Sequence, residues 1–291
     1  MTPLFERLTV AGVGLIGGSL ALAAREAGLV REVIGFGRSP ENLQVARDRG
    51  IVDRVATGPA EAVAGTGAVV LAAPVGVCAS LAELFRPHVA PGTILTDVGS
   101  VKGSLVSALE SCWTDPGAVV GAHPVAGSEA AGAAAARADL FRGRLCILTP
   151  TSRTRPDARA TVRALWEGVG ARVEEMDAAS HDEILARVSH LPHLVAYALI
   201  SAVAGARVGG RPVLDYAGSG LRDTTRVAGS RAELWRDIAI ANATALRASL
   251  GEYRAALDRL EALLVAGDPA ALEQMLEAAA VARRRLDGDG G

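Results

Sequence analysis

The sequence predicts an α/β domain followed by an all-α domain, and three observations support this prediction. Short apolar runs alternate with helical patterns over the first 176 residues. One run, Ala68–Ala72, is apolar at every position, as in strands buried on both faces of a parallel sheet. After Met176 the strand patterns stop and apolar residues recur at helical spacing. We therefore expect one domain in residues 1–176 and a second in residues 177–291.

The first domain is expected to hold a mostly parallel sheet wrapped by helices. The predicted strands are Leu8–Ala11, Val33–Phe36, Ala68–Ala72, Thr93–Thr96, Val119–Ala122, Leu145–Leu148 and Arg172–Glu175. The helices predicted between them include Ser19–Ala27, Pro40–Arg49 and Val101–Ser111. Polar, loop-like composition predicts a surface loop over Thr151–Arg159.

The second domain is expected to be helical throughout. His181–Val203 has the pattern of one long apolar helix, interrupted by Pro192. A loop over Gly205–Arg211 and a helical stretch over Glu233–Val265 follow. The residues Gly267-Asp268-Pro269 then supply a helix stop, an N-cap and a first-turn proline, so a last helix should run to about Leu286.

Composition excludes several classes of protein. The formal net charge of −2 gives no basic field for nucleic acid or for an anionic membrane surface. The three cysteines, Cys78, Cys112 and Cys146, are far apart in sequence, which argues against a zinc site or a disulfide framework and fits a reducing cytoplasm. We therefore expect no bound metal.

Leu8–Ala24 is apolar and ends in small residues, as a signal peptide does. Its four glycines and the preceding Glu6 favour a folded segment instead. No other gap-free apolar stretch reaches the roughly 20 residues of a membrane helix, so we expect no membrane span.

A glycine-rich loop lies between the first predicted strand and the first helix. Gly12, Gly14 and Gly17 form the pattern G-x-G-x-x-G, with Leu15 and Ile16 at the start of the helix. Glycine permits the tight turn, the approach of a pyrophosphate and close helix packing, while the helix N-terminus offers free N–H groups. This context predicts a Rossmann-type dinucleotide site. The alternative is a glycine-rich turn without a ligand.

The residues after the second strand bear on the choice of dinucleotide. NAD selection usually uses an acidic residue there, but this chain has Gly37, Arg38 and Ser39. An arginine and a hydroxyl suit a 2′-phosphate, which favours NADP+ slightly over NAD+. Alternatively, Arg38 is a solvated loop charge.

Histidines are scarce and concentrated. Only five occur in the chain, and three lie in the segments Gly121–Glu129 and Ser189–His193. A histidine facing a nicotinamide can take the hydroxyl proton while the cofactor takes the hydride, so His123 is a candidate general base. The alternative for His123 is a strand-end histidine satisfied by the backbone.

Five motifs together resemble a known family. GVGLIGGSLA, DVGSVKG, GAHPVAGSE, HDEILARVSHLPH and SGLRDTTRVAGS…LWRDIAIAN, in this order over residues 8–242, resemble the prephenate and arogenate dehydrogenases of tyrosine biosynthesis. The resemblance implies oxidation of a 4-hydroxycyclohexadienyl ring: hydride leaves C4 for NAD+ or NADP+, carbon dioxide leaves C1, and the ring becomes aromatic. It also implies a cytoplasmic homodimer formed through the helical domain.

The resemblance assigns roles to single residues. His123 corresponds to the catalytic histidine and Ser100 to a serine that contacts the C4 hydroxyl. Without the resemblance, Ser100 is an N-cap, and Lys102 is interpreted as a surface charge in a helical first turn. His193 corresponds to a residue that contacts the substrate side chain. Its helical neighbour His190 is expected to be supporting or structural.

Further substrate contacts are implied. Arg226 corresponds to the arginine that pairs with the ring carboxylate, a role that suits a bidentate guanidinium. Glu129 and Trp235 are expected near the mouth of the site. His181, followed by Asp182, is interpreted as part of a polar cluster at a helix start, with an interdomain role as the alternative.

One loop departs from the family pattern and bears on the substrate. Ala217-Gly218-Ser219-Gly220 has a serine and an alanine where more glycine and proline are typical. This leaves arogenate open beside prephenate, which we favour. Two other classes remain: a β-hydroxyacid or imine oxidoreductase of the same architecture, and a non-catalytic dinucleotide-sensing protein.

Overall fold

The fold confirms the predicted class: a parallel-dominated sheet with helices on both sides, followed by a mainly helical segment. A computed structural model describes residues 2–127 and 130–288. By packing, the chain forms two compact units, Met1–Ala243 and Thr244–Gly291. The described part of the second unit contains the remainder of the helix Ala243–Ala266 and the helix Pro269–Gly288.

Eight strands build the main sheet. They are β1 (Phe5–Ala11), β2 (Val30–Phe36), β3 (Arg54–Val55), β4 (Ala68–Leu71), β5 (Ile94–Asp97), β6 (Val119–Pro124), β7 (Leu145–Thr149) and β8 (Arg172–Glu175). Their spatial order is β3-β2-β1-β4-β5-β6-β7-β8, and every pairing except β6 with β7 is parallel. From β1 the chain adds β2 and β3 on one side of the sheet, and it then adds β4 on the other side of β1. This change of side between β1 and β4 is a topological switch point, where open α/β sheets bind ligands.

The helices of the chain alternate with these strands and then continue beyond β8. They are α1 (Leu15–Glu26), α2 (Pro40–Asp48), α3 (Pro59–Val63), α4 (Val75–Phe85), α5 (Gly103–Cys112), α6 (Pro156–Gly168), α7 (Ala178–Leu185), α8 (Leu191–Ala204), α9 (Ser219–Thr225), α10 (Ala232–Ala241), α11 (Ala243–Ala266) and α12 (Pro269–Gly288).

The central strands are apolar because both of their faces are covered. On β1, Leu8 and Val10 are completely buried, and on β4 so are Val70 and Leu71. Each such side chain contributes roughly 1.5–3 kcal/mol by leaving water. This rigid sheet fixes the carboxyl ends of β1, β4, β5 and β6, from which the site is built.

Two local predictions were wrong in part, and a third is confirmed with more detail. The predicted loop Thr151–Arg159 is helical from Pro156, because proline there occupies the first turn of α6, where no N–H is needed. The predicted loop Gly205–Arg211 contains a small hairpin of β9 (Arg207–Val208) and β10 (Arg211–Pro212). The predicted helical stretch Glu233–Val265 is confirmed and consists of two helices that break at Asn242.

The long apolar segment is helical from Ala178 to Ala204, with a π-helical turn at Ala186–His190 and Pro192 in the first turn of α8. A wide turn before proline accommodates its missing N–H without ending the helix. By length and composition this helix could cross a membrane: its most apolar 18-residue stretch has a mean hydropathy of 1.3. Only 22% of that stretch is buried within the chain. An apolar face of this size needs a partner.

Candidate active site

The glycine-rich loop joins β1 to α1 at the switch point of the sheet. Gly12 has φ +102°, and a Cβ there would lie 2.2 Å from the carbonyl oxygen of Ala72. A Cβ on Gly17 would lie 2.2 Å from the carbonyl oxygen of Gly12. Both positions therefore require glycine, the first for its backbone conformation and the second for the approach of the helix.

Gly14 differs because it faces open space. A Cβ there would meet nothing within 4 Å, and no side chain caps the helix that begins at Leu15. The N–H groups of Leu15, Ile16 and Gly17 belong to the first turn, where an α-helix leaves its donors unpaired. A positive helix end with room before it fits the pyrophosphate of a dinucleotide.

Arg38 and Ser39 follow β2, as predicted, and Arg38 is exposed. The Ser39 hydroxyl caps α2 by accepting from the Asn42 N–H at 3.2 Å, and it donates to Glu41 Oε2 at 2.8 Å. Backbone and Ser39 hydrogen bonds lower the pKa of Glu41, so a carboxylate lies beside the hydroxyl. Negative charge at this position disfavours a 2′-phosphate and weakens the preference for NADP+.

His123 lies near the end of β6 and is buried. Its Nδ1 is 2.8 Å from Nε2 of His181. Burial, with smaller effects of the neighbouring His181, Lys102 and His190, holds the pKa of His123 well below its usual value. The ring is therefore neutral at pH 7 and able to accept a proton.

Asp182 supports His181 from the other side. His181 Nδ1 lies 2.8 Å from Asp182 Oδ1, and this carboxylate also accepts from the backbone N–H groups of Lys102 and Gly103, each at 2.8 Å. Burial raises the pKa of Asp182, but the hydrogen bonds from His181, Lys102 and Gly103 outweigh it, and the net pKa is lowered. The interaction ties α7 to the start of α5.

Lys102 is not a surface charge, and that interpretation was wrong. The side chain is completely buried, where Nζ forms an ion pair with Asp97 and donates to the carbonyl of Ala122 at 2.9 Å. Asp97 also accepts from the N–H of Gly99 at 2.7 Å. Lys102 is the only lysine in a chain that has 30 lysine and arginine residues in all.

Ser100 is half-buried in the turn between β5 and α5. It is not the N-cap of α5, since that helix begins at Gly103 and Lys102 occupies the capping position. The adjacent Val101 packs against Trp235, and the backbone of Ser100 is close enough to raise the pKa of His190. These contacts place Ser100 against the helical segment that carries the other histidines.

His193 and Trp235 form a stack, with ring centroids 3.5 Å apart and planes inclined by 20°. His193 Nδ1 donates to the carbonyl of Ser189 at 2.8 Å, which leaves Nε2 for a ligand. His190 packs edge-on to Trp235 and accepts at Nδ1 from Asn242 at 3.1 Å. The two histidines thus share one helix face, as their spacing predicted. Trp235 is buried rather than open at a mouth.

Arg226 is exposed, and its charge is near enough to lower the pKa of His193, together with the larger effect of burial. Glu129 lies outside the described residues. The structure therefore brings His123, His193, Trp235 and Ser100 around one region. Sequence reasoning did not assign His181, Asp182, Asp97 and Asn242 to this region; the only signal was the pair of polar motifs, HD and DVGSVK.

Two family profiles match consecutive parts of the chain. The profile described as "Prephenate dehydrogenase, nucleotide-binding domain" matches residues 20–175, and "Prephenate dehydrogenase, dimerization domain" matches residues 177–278. The chain is 35% identical to the cyclohexadienyl dehydrogenase of Zymomonas mobilis over 91% of this chain and 90% of that protein.

Solved structures give the same result. Prephenate dehydrogenase from A. aeolicus, in complex with hydroxyphenyl propionate and NAD+, superposes with a TM-score of 0.92 at 32% identity, covering 97% of this chain and 98% of that one. Arogenate dehydrogenase of Synechocystis superposes with a TM-score of 0.82 at 33% identity, covering 96% and 99%.

Proposed function

This chain belongs to the prephenate dehydrogenase family, and from that premise we propose that it oxidises prephenate to 4-hydroxyphenylpyruvate and carbon dioxide, with NAD+ or NADP+ as hydride acceptor. The reaction serves tyrosine biosynthesis. One observation carries the chemistry: a buried histidine, His123, is held neutral with its Nδ1 engaged by another side chain.

The dinucleotide occupies the switch point between β1 and β4. Gly12, Gly14 and Gly17 shape the cradle, and the N–H groups of Leu15 and Ile16 hold the pyrophosphate. When bound there, the dinucleotide would supply the hydride acceptor for C4 of the substrate. Arg38 and Ser39 border the adenosine ribose. The carboxylate of Glu41 beside Ser39 favours a ribose hydroxyl over a phosphate, so NAD+ is the proposed cofactor.

His123 acts as the general base. Its neutral ring accepts the proton of the C4 hydroxyl as the hydride leaves C4, a contribution of roughly 10²–10⁴-fold to the rate. Ser100 donates a hydrogen bond to the same oxygen and fixes its position. The C1 carboxylate then leaves as carbon dioxide, its electron pair enters the ring, and the oxygen regains a proton as the phenol forms.

Substrate binding falls to the helical segments. Arg226 pairs with the ring carboxylate, a bidentate contact that a guanidinium makes well. His193, fixed by Trp235 and by the Ser189 carbonyl, presents Nε2 to the substrate side chain. These contacts accept the keto acid of prephenate, and the arogenate dehydrogenase among the similar structures keeps the amino acid arogenate as the alternative.

The enzyme is a homodimer. We assign residues 1–176 to the nucleotide-binding domain and 177–291 to the helical domain through which the dimer forms, which the matched ranges and the apolar helix Ala178–Ala204 support. A cytoplasmic location accords with three cysteines that are buried free thiols.

The test mixes the purified protein with prephenate or arogenate, each with NAD+ or NADP+, and follows reduced nicotinamide by absorbance. We expect turnover that is fastest with prephenate and NAD+. His123→Asn should lower kcat by about 100-fold or more while the Kd of the dinucleotide stays within about threefold. The exposed His88→Asn is the matched control. Turnover in none of the four mixtures by folded, dinucleotide-binding protein would refute the proposal, and undiminished kcat in His123→Asn would refute the base.

A further inference from the structure

We propose that His181 and Asp182 are positioning residues that fix the tautomer of His123 and so set which of its nitrogens meets the substrate. The proposal rests on the base assignment made above. Both residues are buried. They form a linear series with His123: carboxylate, imidazole, imidazole, with 2.8 Å between successive partner atoms.

The direction of each hydrogen bond follows from the end of the series. Asp182 accepts two backbone N–H bonds besides the one from His181, and its pKa is lowered, so it is an ionised acceptor with no proton to donate. His181 Nδ1 must therefore carry the hydrogen. In a neutral ring its Nε2 is then a bare acceptor.

The consequence passes to His123. Facing an acceptor, His123 Nδ1 must carry the hydrogen and donate to His181 at 2.8 Å. His123 Nε2 is then unprotonated and is the nitrogen left to receive the hydroxyl proton. A free neutral imidazole carries its hydrogen mainly on Nε2, which would present a donor instead of a base, so the tautomer has to be imposed.

The same series responds once His123 is protonated. The His123 Nδ1–H bond to His181 becomes charge-assisted, and such bonds are roughly twice as strong as neutral ones. The carboxylate beyond His181 offsets the positive charge. A carboxylate that orients a catalytic imidazole through its Nδ1–H is a known design, and here one further imidazole extends it.

The geometry also explains why Asp182 cannot drift. Its carboxylate accepts from the N–H groups of Lys102 and Gly103. These two groups lie at the start of α5, where N–H groups have no partner within the helix. Its own carbonyl accepts from Asn242 at 2.8 Å. The segment that carries Ser100 and the helix that carries His181 are therefore held by one carboxylate.

The experiment reads the tautomer directly. The chain has only five histidines, so ¹⁵N-histidine labelling and long-range ¹H–¹⁵N correlation resolve each ring, with His123→Asn providing the assignment. In the wild type we expect His123 as the Nδ1–H tautomer. In His181→Leu, which removes the acceptor, His123 should revert to Nε2–H. In His181→Gln a side-chain oxygen replaces the acceptor, and the Nδ1–H form should return.

Kinetics supply the second measurement. His181→Leu should lower kcat by about 100-fold with KM within about threefold, and His181→Gln should recover about tenfold of that loss. Ser180→Ala, an exposed change one residue earlier in α7, is the matched control. Thermal melting checks that each variant is folded.

Two results would overturn the proposal: an Nε2–H tautomer at His123 in the wild type, or an undiminished kcat in His181→Leu. If His181→Leu does not fold, the wild-type spectrum and His181→Gln still decide. Turnover retained by His123→Asn would refute the base assignment instead, and the spectrum, which needs no turnover, keeps the two failures apart.

Discussion

At the scale of single residues, Lys102 has the environment that most constrains substitution. Its ammonium group and the Asp97 carboxylate neutralise each other where no water reaches either side chain. Replacing one partner would leave the other charge buried and unpaired. Lys102→Met should therefore lower the free energy of unfolding by about 3–5 kcal/mol, measured by urea denaturation.

The double variant Asp97→Asn with Lys102→Met, which carries no net buried charge, should recover part of that loss. Arg172→Met is a suitable control because Arg172 pairs with Glu174 at the surface, where such pairs contribute about 0–1 kcal/mol. Equal losses in Lys102→Met and Arg172→Met would show that the buried pair is not important for stability.

His190 predicts a pH dependence of stability. Burial, outweighing the nearby Asp182 charge, lowers the pKa of His190 to about 4. As pH falls through about 6.5, the unfolded chain takes up this proton before the folded chain does, so stability is lost between about pH 6.5 and 4. The contribution of this group is about 3 kcal/mol. His190→Gln should flatten this part of the urea-denaturation profile, whereas His88→Gln should leave it unchanged; identical profiles in all three proteins would contradict the assignment.

At the scale of elements, the glycine-rich loop separates folding from binding. Gly14→Ala adds a methyl group in open space, so the melting temperature should be unchanged while the Kd for NAD+ rises about tenfold or more. Gly12→Ala meets the Ala72 carbonyl and should lower the melting temperature as well. Gly58→Ala, at another helix N-cap with open space, is the control. Wild-type affinity in Gly14→Ala would place the dinucleotide elsewhere.

The elements that sequence predicted are those with local signals. All seven expected strands are present. The central strands could be predicted because strands buried on both faces must be apolar along their length, whereas β8 is polar and only partly buried. The first helices after the glycine-rich loop and β2 were also expected, since glycine spacing and proline are local signals. α3, α4, α6 and the two-residue β3 were not predicted. α3 and β3 are too short to show a periodicity, and the polar start of α6 was interpreted as a loop.

The site divides in the same way. Motifs identified His123, Ser100, His193 and the glycines, but they did not identify the partners. His181 is 58 residues from His123, and Asp182 is 80 residues from the backbone N–H of Lys102 that it binds. Contacts between residues so far apart in the sequence depend on how α7 packs in the folded chain, including against α5. The spacing of residues within a motif does not encode that packing.

At the scale of the whole molecule, the apolar helix Ala178–Ala204 predicts association. A chain of 29.8 kDa should sediment as a dimer at micromolar concentration. Val188, 67% exposed on that helix, should lie in the interface, so Val188→Glu should favour the monomer and lower the melting temperature. Leu84→Glu, on α4 of the nucleotide-binding region, is the control. A wild-type monomer across that range would contradict the dimer.

Because the chain has a single lysine, cleavage at that lysine can report the separation of α5 from α7. A lysine-specific protease has one peptide bond to cleave, Lys102–Gly103. Asp182 accepts from the N–H of that bond, which belongs to Gly103, and from the N–H of Lys102. Cleavage must wait until α5 separates from α7, so the appearance of two fragments, residues 1–102 and 103–291, times that separation. Proteolysis of the unlabelled enzyme would thus measure how often α5 and α7 separate.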